Sequence, residues 1–435
     1  MIYFIGIKGA GMASLACMLF DIGEQVSGSD IEKHIFTEAE LHRRGIKIHR
    51  FNEVEFQDHW TVVVGNAFTD SFSEVIKAKA NPTIRVIRYH DFLGELLQKY
   101  KSIAISGSHG KTTTTSMVAA MLQPTIKAGY LVGDGHGKLA KDDEYLVIEA
   151  CEYRRHFLSY FPQLAVITNI DLDHIDYFED EADYELAFNQ FITNVSDTVI
   201  IYGDDPRAHV LKSNIETIYY GFGAHNDLIA KHVEAFEDHV KFDVVFKNEH
   251  LGQVMLPFVG DHMILNSLAS IAIGFKLNMS LAEIEAGLST FSGARRRFEV
   301  EIANGNVYVD DYAHHPTEIE MTIKAAKTRF PNQTIVAIFK PHRVSRLYRF
   351  GKAFAKALSL ADHVALCNFT SIDDFEEGYD IDIHYIQNMI ENSEVVSEDE
   401  AGAAWLAQFA PAVYLFMSSK DIYVLSDHLK LYQKS

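Results

Sequence analysis

Short apolar runs alternate with amphipathic stretches along most of the chain, the rhythm of strands and helices in a doubly wound α/β protein. Met1-Ile2-Tyr3-Phe4-Ile5 reads as a first strand, and Met12, Leu15, Ala16 and Leu19 follow at helical spacing. Further strands are expected around Gln25-Val26-Ser27 and at Val62-Val63-Val64. Ile103-Ala104-Ile105 predicts a buried strand, and Met117, Val118, Met121 and Leu122 give the apolar stripe of the helix after it. Two more apolar runs, Leu146-Val147-Ile148 and Ala165-Val166-Ile167, each end in acidic clusters, and Leu265, Leu268, Ala269 and Ala272 form a further buried helical stripe. Strands at Val307-Tyr308-Val309, from Thr334 to Phe339, near 363–367 and near 412–417, with a helical stretch from Leu347 to Ala361, complete the pattern.

A chain of 435 residues is too long for one ordinary core. The expected division is a Rossmann-like domain over residues 1–98, a central P-loop ATPase-like domain over 99–292 and a Rossmann-like C-terminal domain over 293–435, all α/β. With 48% hydrophobic residues and mixed charges, the chain reads as globular throughout. Its 39 basic and 60 acidic side chains leave a net charge of −21, which repels nucleic acid and anionic membrane. Any phosphate it binds is therefore a small one in a locally positive pocket. Cys17, Cys151 and Cys367 have no metal-ligand spacing and read as buried thiols in a reducing compartment. The opening lacks a basic leader with an apolar core, and no uninterrupted run of about 18 apolar residues occurs, so a soluble cytoplasmic protein is expected.

The richest chemistry follows the strand at Ile103. Ser106-Gly107-Ser108-His109-Gly110-Lys111-Thr112-Thr113 combines glycines that let backbone N–H groups turn inward, a lysine for terminal phosphates and a hydroxyl for Mg²⁺. Position 105 is Ile, so the loop is a shorter G-x-x-G-K-T variant of the phosphate-binding pattern. Past the strand end at Ile148, Glu149 is the first candidate for holding Mg²⁺, a hard cation that takes oxygen ligands. Gly6-Ile7-Lys8-Gly9-Ala10-Gly11 is a nucleotide-type βα turn, but its G-x-x-G-x-G spacing is not the dinucleotide fingerprint. Asp30 stands where an acid meets a ribose hydroxyl, and Asn66 follows another strand at the same sheet edge. Asn266 could offer its amide to an adenine edge or pack its helix. The run Arg295-Arg296-Arg297, in so acidic a chain, is read as anion-binding. Taken together, a triphosphate loop, a separate nucleotide-like domain and an arginine- and histidine-bearing C-terminal domain suit the joining of a carboxylate to an amine.

These motifs resemble those of the Mur ligases, and the resemblance spans the chain. It is carried by Gly6 to Met12, Gly107 to Thr112, Glu149 to Phe157, Asp310-Asp311-Tyr312-Ala313-His314-His315-Pro316 and Pro341-His342-Arg343. Within the family they look most like the member that attaches the first amino acid of the cell-wall peptide. The resemblance implies an ATP- and Mg²⁺-dependent ligase joining L-alanine to the lactyl carboxylate of UDP-N-acetylmuramate through an acyl phosphate. It implies that Gly9, Ala10, Gly11 and Met12 hold the UDP-sugar diphosphate, with Ser29, Asp30 and Asn66 near the uridine. Gly107 to Thr113 would bind ATP phosphates, and Thr112, Glu149 and His174 would ligate magnesium. Asn266 would face adenine, Arg297 would reach ATP and Asp311 would lie near its ribose. His314, Arg343 and Arg346 would gather around the acceptor. The implied partners are these small molecules alone, with the protein a monomer or homodimer.

Several positions depart from the family pattern: Met263 replaces the first asparagine of the adenine motif, Lys340 stands where glutamine is usual, and Ser418-Ser419-Lys420-Asp421 replaces Gly-Ala-Gly-Asp. They keep in view a recycling ligase that attaches a tripeptide, or a non-catalytic UDP-sugar sensor. A Rossmann dehydrogenase would leave Lys111 unexplained.

Overall fold

The computed structural model describes residues 1–293, 296–369 and 378–434. Arg295 of the arginine run lies outside the described residues. Three sheets organise a three-domain α/β fold. The N-terminal sheet holds β1 (Ile2–Ile5), β2 (Val26–Ser29), β3 (Lys47–His49), β4 (Thr61–Val64) and β5 (Arg85–Arg88), in the order β3-β2-β1-β4-β5. Its helices are α1 (Ala10–Asp21), α2 (Glu38–Arg43), α3 (Ser73–Lys79) and α4 (Tyr89–Leu97). Strand order reverses on either side of β1. Its following turn therefore opens between the ends of β2 and β4, where ligands of doubly wound sheets bind.

The central sheet contains β6 (Lys101–Ser106), β7 (Ala128–Leu131), β8 (Gly137–Lys138), β9 (Tyr145–Glu149), β10 (Leu164–Ile167), β11 (Thr198–Tyr202), β12 (Glu216–Gly221), β13 (Leu228–Ala235), β14 (Val240–Phe246) and β15 (Glu249–Leu256). Helices α5 (Lys111–Leu122), α6 (Glu181–Ile192), α7 (Asp261–Lys276) and α8 (Leu281–Leu288) accompany it. β6 lies between β9 and β10, parallel to both, so the loop after β6 is flanked by the residues that end these two neighbours. β12 to β15 lie outside the elements expected from the sequence. In α7, Leu268, Ala269 and Ala272 are fully buried as expected, but Leu265 is half-buried and Ile264 takes its place in the stripe.

The C-terminal sheet comprises β16 (Glu299–Ala303), β17 (Asn306–Asp311), β18 (Thr334–Phe339), β19 (His363–Cys367), β20 (Ser393–Val396) and β21 (Ala412–Met417), in the order β16-β17-β21-β18-β19-β20. Only β16 is antiparallel, as a hairpin with β17. Its helices are α9 (Pro316–Arg329), α10 (Val344–Leu358), α11 (His384–Gln387), α12 (Glu400–Ala407) and α13 (Tyr423–Tyr432).

Packing gathers the chain into two compact units, one of residues 1–231, 244–252 and 265–291, the other of residues 232–243, 253–264 and 292–435. The N-terminal and central sheets share the first unit because one apolar cluster runs from Phe4, Leu15 and Met18 to Ile148, Phe157 and Phe188. Gly137 on β8 sits against Ser14 and Met18 of α1, where a side chain would not fit. Cys17 and Cys367 are buried, whereas Cys151 is only half-buried.

Candidate functional site

The phosphate loop is built by backbone geometry first. Gly107 and Gly110 have φ of 128° and 82°, a region that favours glycine. A Cβ on Gly107 would stand 2.1 Å from the Thr168 hydroxyl, and one on Gly110 2.9 Å from Asn266 Oδ1. Both residues after β10 and the start of α7 therefore press on the loop. Thr168 Oγ1 donates to the His109 carbonyl at 2.5 Å, Asn169 Oδ1 accepts from the His109 amide at 2.9 Å, and the Asp171 amide donates to Ser108 Oγ at 2.8 Å. The loop is thus held at the N-terminus of α5, where the helix dipole favours an anion.

Around this loop lie the groups a nucleotide and its metal require. Lys111 Nζ donates to the carbonyls of Gly107 at 2.5 Å and Ser108 at 2.9 Å. Thr112 Oγ1 donates to Glu149 Oε2 at 2.9 Å, and the Gly133 amide donates to the same oxygen at 2.9 Å. A hydroxyl on a strand-end carboxylate is an oxygen donor set suited to Mg²⁺, so the residues present fit both groups. Thr113 is buried in the first turn of α5, and Asn266 is buried beside Gly110.

The sequence reading did not give Glu152 a role, although it closes the same acidic cluster as Glu149. Its side chain is fully buried, with Lys111 Nζ 3.0 Å from Oε2 and His174 Nε2 3.4 Å from Oε1. Burial pushes the Glu152 carboxyl up, but the Lys111 charge and the His174 contact outweigh it and hold the group below its ordinary value. Burial likewise opposes the Lys111 charge, and Glu152 overrides it and raises the ammonium's value. His174 itself stands in the left-handed region at φ 53°, its ring 4.6 Å from Tyr153. Lys111, Glu152 and His174 are one connected group, and Glu149 reaches Lys111 electrostatically.

In the N-terminal part of the same unit, Gly9 precedes α1, and Ala10, Gly11 and Met12 form its first turn. A Cβ on Gly11 would meet the Tyr89 hydroxyl at 2.6 Å. Asp30 accepts from the Lys8 amide at 2.7 Å through Oδ2 and from the Ile31 amide at 2.8 Å through Oδ1, bracing the glycine turn. Ser29 has no exposed surface, and its hydroxyl donates to the buried Glu74 at 2.5 Å. Asn66 is exposed between two imidazoles: His90 Nδ1 lies 3.1 Å from its Oδ1, and its Nδ2 donates to His156 Nδ1 at 3.2 Å. The two rings stack at 4.3 Å. Burial, the neighbouring His90 and Arg154 push His156 down to about 4.

In the second unit the expected residues cluster at the ends of β17 and β18. Asp311 Oδ2 accepts from the Phe298 amide at 2.8 Å and Oδ1 from the Ala313 amide at 2.7 Å. Burial pushes its carboxyl up to about 6, against the pull of Arg297. Arg297 stacks on the Tyr312 ring at 5.1 Å and lies 3.7 Å from Glu318. Arg296 is engaged structurally instead, donating to the carbonyls of Ser418 at 2.8 Å and Lys420 at 3.1 Å. Arg343 occupies the N-cap position of α10 and Arg346 is buried in its first turn.

The departures at Lys340 and 418–421 form one network. Lys340 Nζ lies 2.9 Å from Glu398 Oε1 and donates to the Asp421 carbonyl at 2.8 Å. Ser418 Oγ donates to the Lys340 carbonyl at 3.0 Å, and Ser419 Oγ is 2.9 Å from His342 Nδ1. Lys340→Ala leaves Glu398 without this buried cation and is expected to lower stability by about 3–5 kcal/mol, read from the urea midpoint.

Profiles of one family match the chain in sequence order: the Mur ligase family catalytic domain over residues 1–101, the Mur ligase middle domain over 105–274 and the Mur ligase glutamate ligase domain over 296–419. A solved UDP-N-acetylmuramate–alanine ligase from Thermotoga maritima is similar at 26% identity and a TM-score of 0.80, the match covering 100% of this chain and 99% of that one. A murein peptide ligase from Psychrobacter arcticus shares the fold at 24% identity and a TM-score of 0.69, with 99% and 98% covered. So does a MurF ligase from Thermotoga maritima in complex with ADP, at 17% identity and a TM-score of 0.68, with 95% and 96% covered.

Proposed function

This chain belongs to the Mur ligase family, and on that premise we propose that it joins L-alanine to the lactyl carboxylate of UDP-N-acetylmuramate, coupled to ATP hydrolysis, in peptidoglycan precursor synthesis. The observation that carries the reading is the phosphate loop at the start of α5, with Lys111 and Thr112 beside Glu149. ATP would supply a γ-phosphoryl group that activates the carboxylate as an acyl phosphate, which the amine displaces as inorganic phosphate.

The N-terminus of α5 and the Lys111 ammonium bind and neutralise the phosphates, which is how this class of transfer is accelerated. Thr112 and Glu149 would hold Mg²⁺, with His174 beside them on Glu152. In the first unit Asn266 is the residue proposed for adenine; in the second, Arg297 and Asp311 are proposed for the nucleotide. Gly9 to Met12 take the UDP diphosphate at the N-terminus of α1, while Asp30 and Asn66 face the uridine end and Ser29 acts from the interior through Glu74. His314, Arg343 and Arg346 bind the acceptor, the arginines pairing with its carboxylate. Among the described residues no helix is long and apolar enough to cross a membrane.

The test is phosphate release measured with ATP, Mg²⁺, UDP-N-acetylmuramate and a panel of amino acids and peptides. Release that needs both the UDP-sugar and L-alanine supports the reading. Preference for a tripeptide would make the protein a recycling ligase, and no release with any amine would make it a sensor.

A further inference from the structure

We propose that His314 is the base that removes a proton from the incoming amine, and that Glu318 is the positioning residue that fixes its tautomer. The inference rests on the ligase reading above.

The argument starts from the two groups that face one ring nitrogen. His314 Nδ1 lies 3.0 Å from Glu318 Oε2 and 3.1 Å from the Tyr312 carbonyl oxygen. Both neighbours only accept, so Nδ1 carries a proton, and in that tautomer the lone pair lies on Nε2. Glu318 is itself fixed in the first turn of α9. Its Oε2 accepts from the His314 amide at 2.9 Å and the His315 amide at 3.2 Å, and Arg297 lies 3.7 Å from Oε1. A carboxylate that orients an imidazole through Nδ1–H is the arrangement by which histidine bases are aimed. The His314 side chain is 16% exposed.

Two other imidazoles lie close by, and neither suits the task. The His342 ring is 6.3 Å from that of His314, with its Nδ1 tied to Ser419. Burial, followed by His314, Lys420, Arg346 and Arg343, pushes it down to about 3, which makes it a weak base. His315 is 3% exposed and packs against Phe350, its Nδ1 accepting from the Thr317 amide at 3.4 Å. The groups that face His314 are thus Glu318 of α9, the Tyr312 ring at 5.2 Å and His342 beyond β18, with Arg297 on the Tyr312 ring and Lys420, Arg346 and Arg343 acting on His342.

An amino acid in neutral solution carries an ammonium with no lone pair to attack. His314 Nε2 takes one proton from that ammonium, and the freed pair forms the C–N bond at the acyl carbon. The nitrogen then loses a second proton as the C–O bond to phosphate breaks, and the departing phosphate carries it away. His314 returns its own proton to water.

Hydroxylamine separates this step from the rest of the reaction, because it is uncharged at neutral pH and captures acyl phosphates without a base. His314→Gln is expected to lower kcat/KM for L-alanine by about 10²-fold at pH 7, the usual worth of a positioned base, while hydroxamate formation stays within about threefold of the parent. The L-alanine defect should narrow as pH rises and free amine accumulates. Glu318→Gln should show the same split between nucleophiles to a smaller degree. Retained hydroxamate formation also proves that the variant is folded. Equal loss with both nucleophiles, or no loss with L-alanine, overturns the assignment. A parent enzyme that turns over neither nucleophile fails the ligase reading itself.

Discussion

Lys111→Ala should abolish ATP-dependent phosphate release, lowering kcat by about 10³-fold or more, because it removes the charge proposed to neutralise the transferring phosphoryl group. UDP-N-acetylmuramate binding, measured by calorimetry, should change by less than about threefold, since the proposed diphosphate contacts sit on α1 and the lysine on α5. Equal loss of both would mean that the two ligands do not occupy separate loops. The substitution also leaves Glu152 buried without its ammonium, so a fall in melting temperature is part of the expected result. Lys111→Met in a Glu152→Leu background supplies the control. Removing both charges should restore much of the stability while activity stays absent, because well-packed apolar groups replace a buried pair at little cost.

Glu152→Ala should be the most damaging single change to the fold around the loop. It strands Lys111 and exposes His174 to a cation, and breaking a buried pair in this way costs about 3–5 kcal/mol. The effect has a defined pH dependence. Because Lys111 and His174 hold the Glu152 carboxyl below its ordinary value, its contribution is fully present above the ordinary carboxylate range and is lost as pH falls through the lowered folded value. Urea midpoints of parent and variant should therefore differ most near pH 7 and converge in acid. Midpoints that agree at pH 7 would show that the pair contributes nothing to stability.

Much of the architecture was legible because it depends on local pattern. The strands at 334–339, 363–367 and 412–417 and the helix after Gly110 follow from apolar runs and spacing that hold whatever the rest of the chain does. β12 to β15 were harder to see. Val240 to Val244 alternates buried and half-buried positions, but Val245 is buried as well, so which face each side chain takes depends on the partner strands. Leu265 shows the same limit on a helix: helical spacing marks a stripe, but which residue centres it depends on what packs against it.

The sequence by itself determined the chemistry of the phosphate loop, since two glycines, a lysine and a hydroxyl in that order leave few other uses for the backbone. It also determined that Glu149 and Asp311 stand at strand ends, and it pointed to a carboxylate–amine ligase. Only the tertiary structure decided what each charge faces. It turned Ser29 inward onto Glu74, gave Arg296 to the carbonyls of Ser418 and Lys420, and joined the scattered departures at Lys340 and 418–421 into one network. It also drew Glu152 and Glu318 into the site. The physical reason is that a side chain's role is set by partners far away in sequence and by burial, and neither is encoded in the spacing around it.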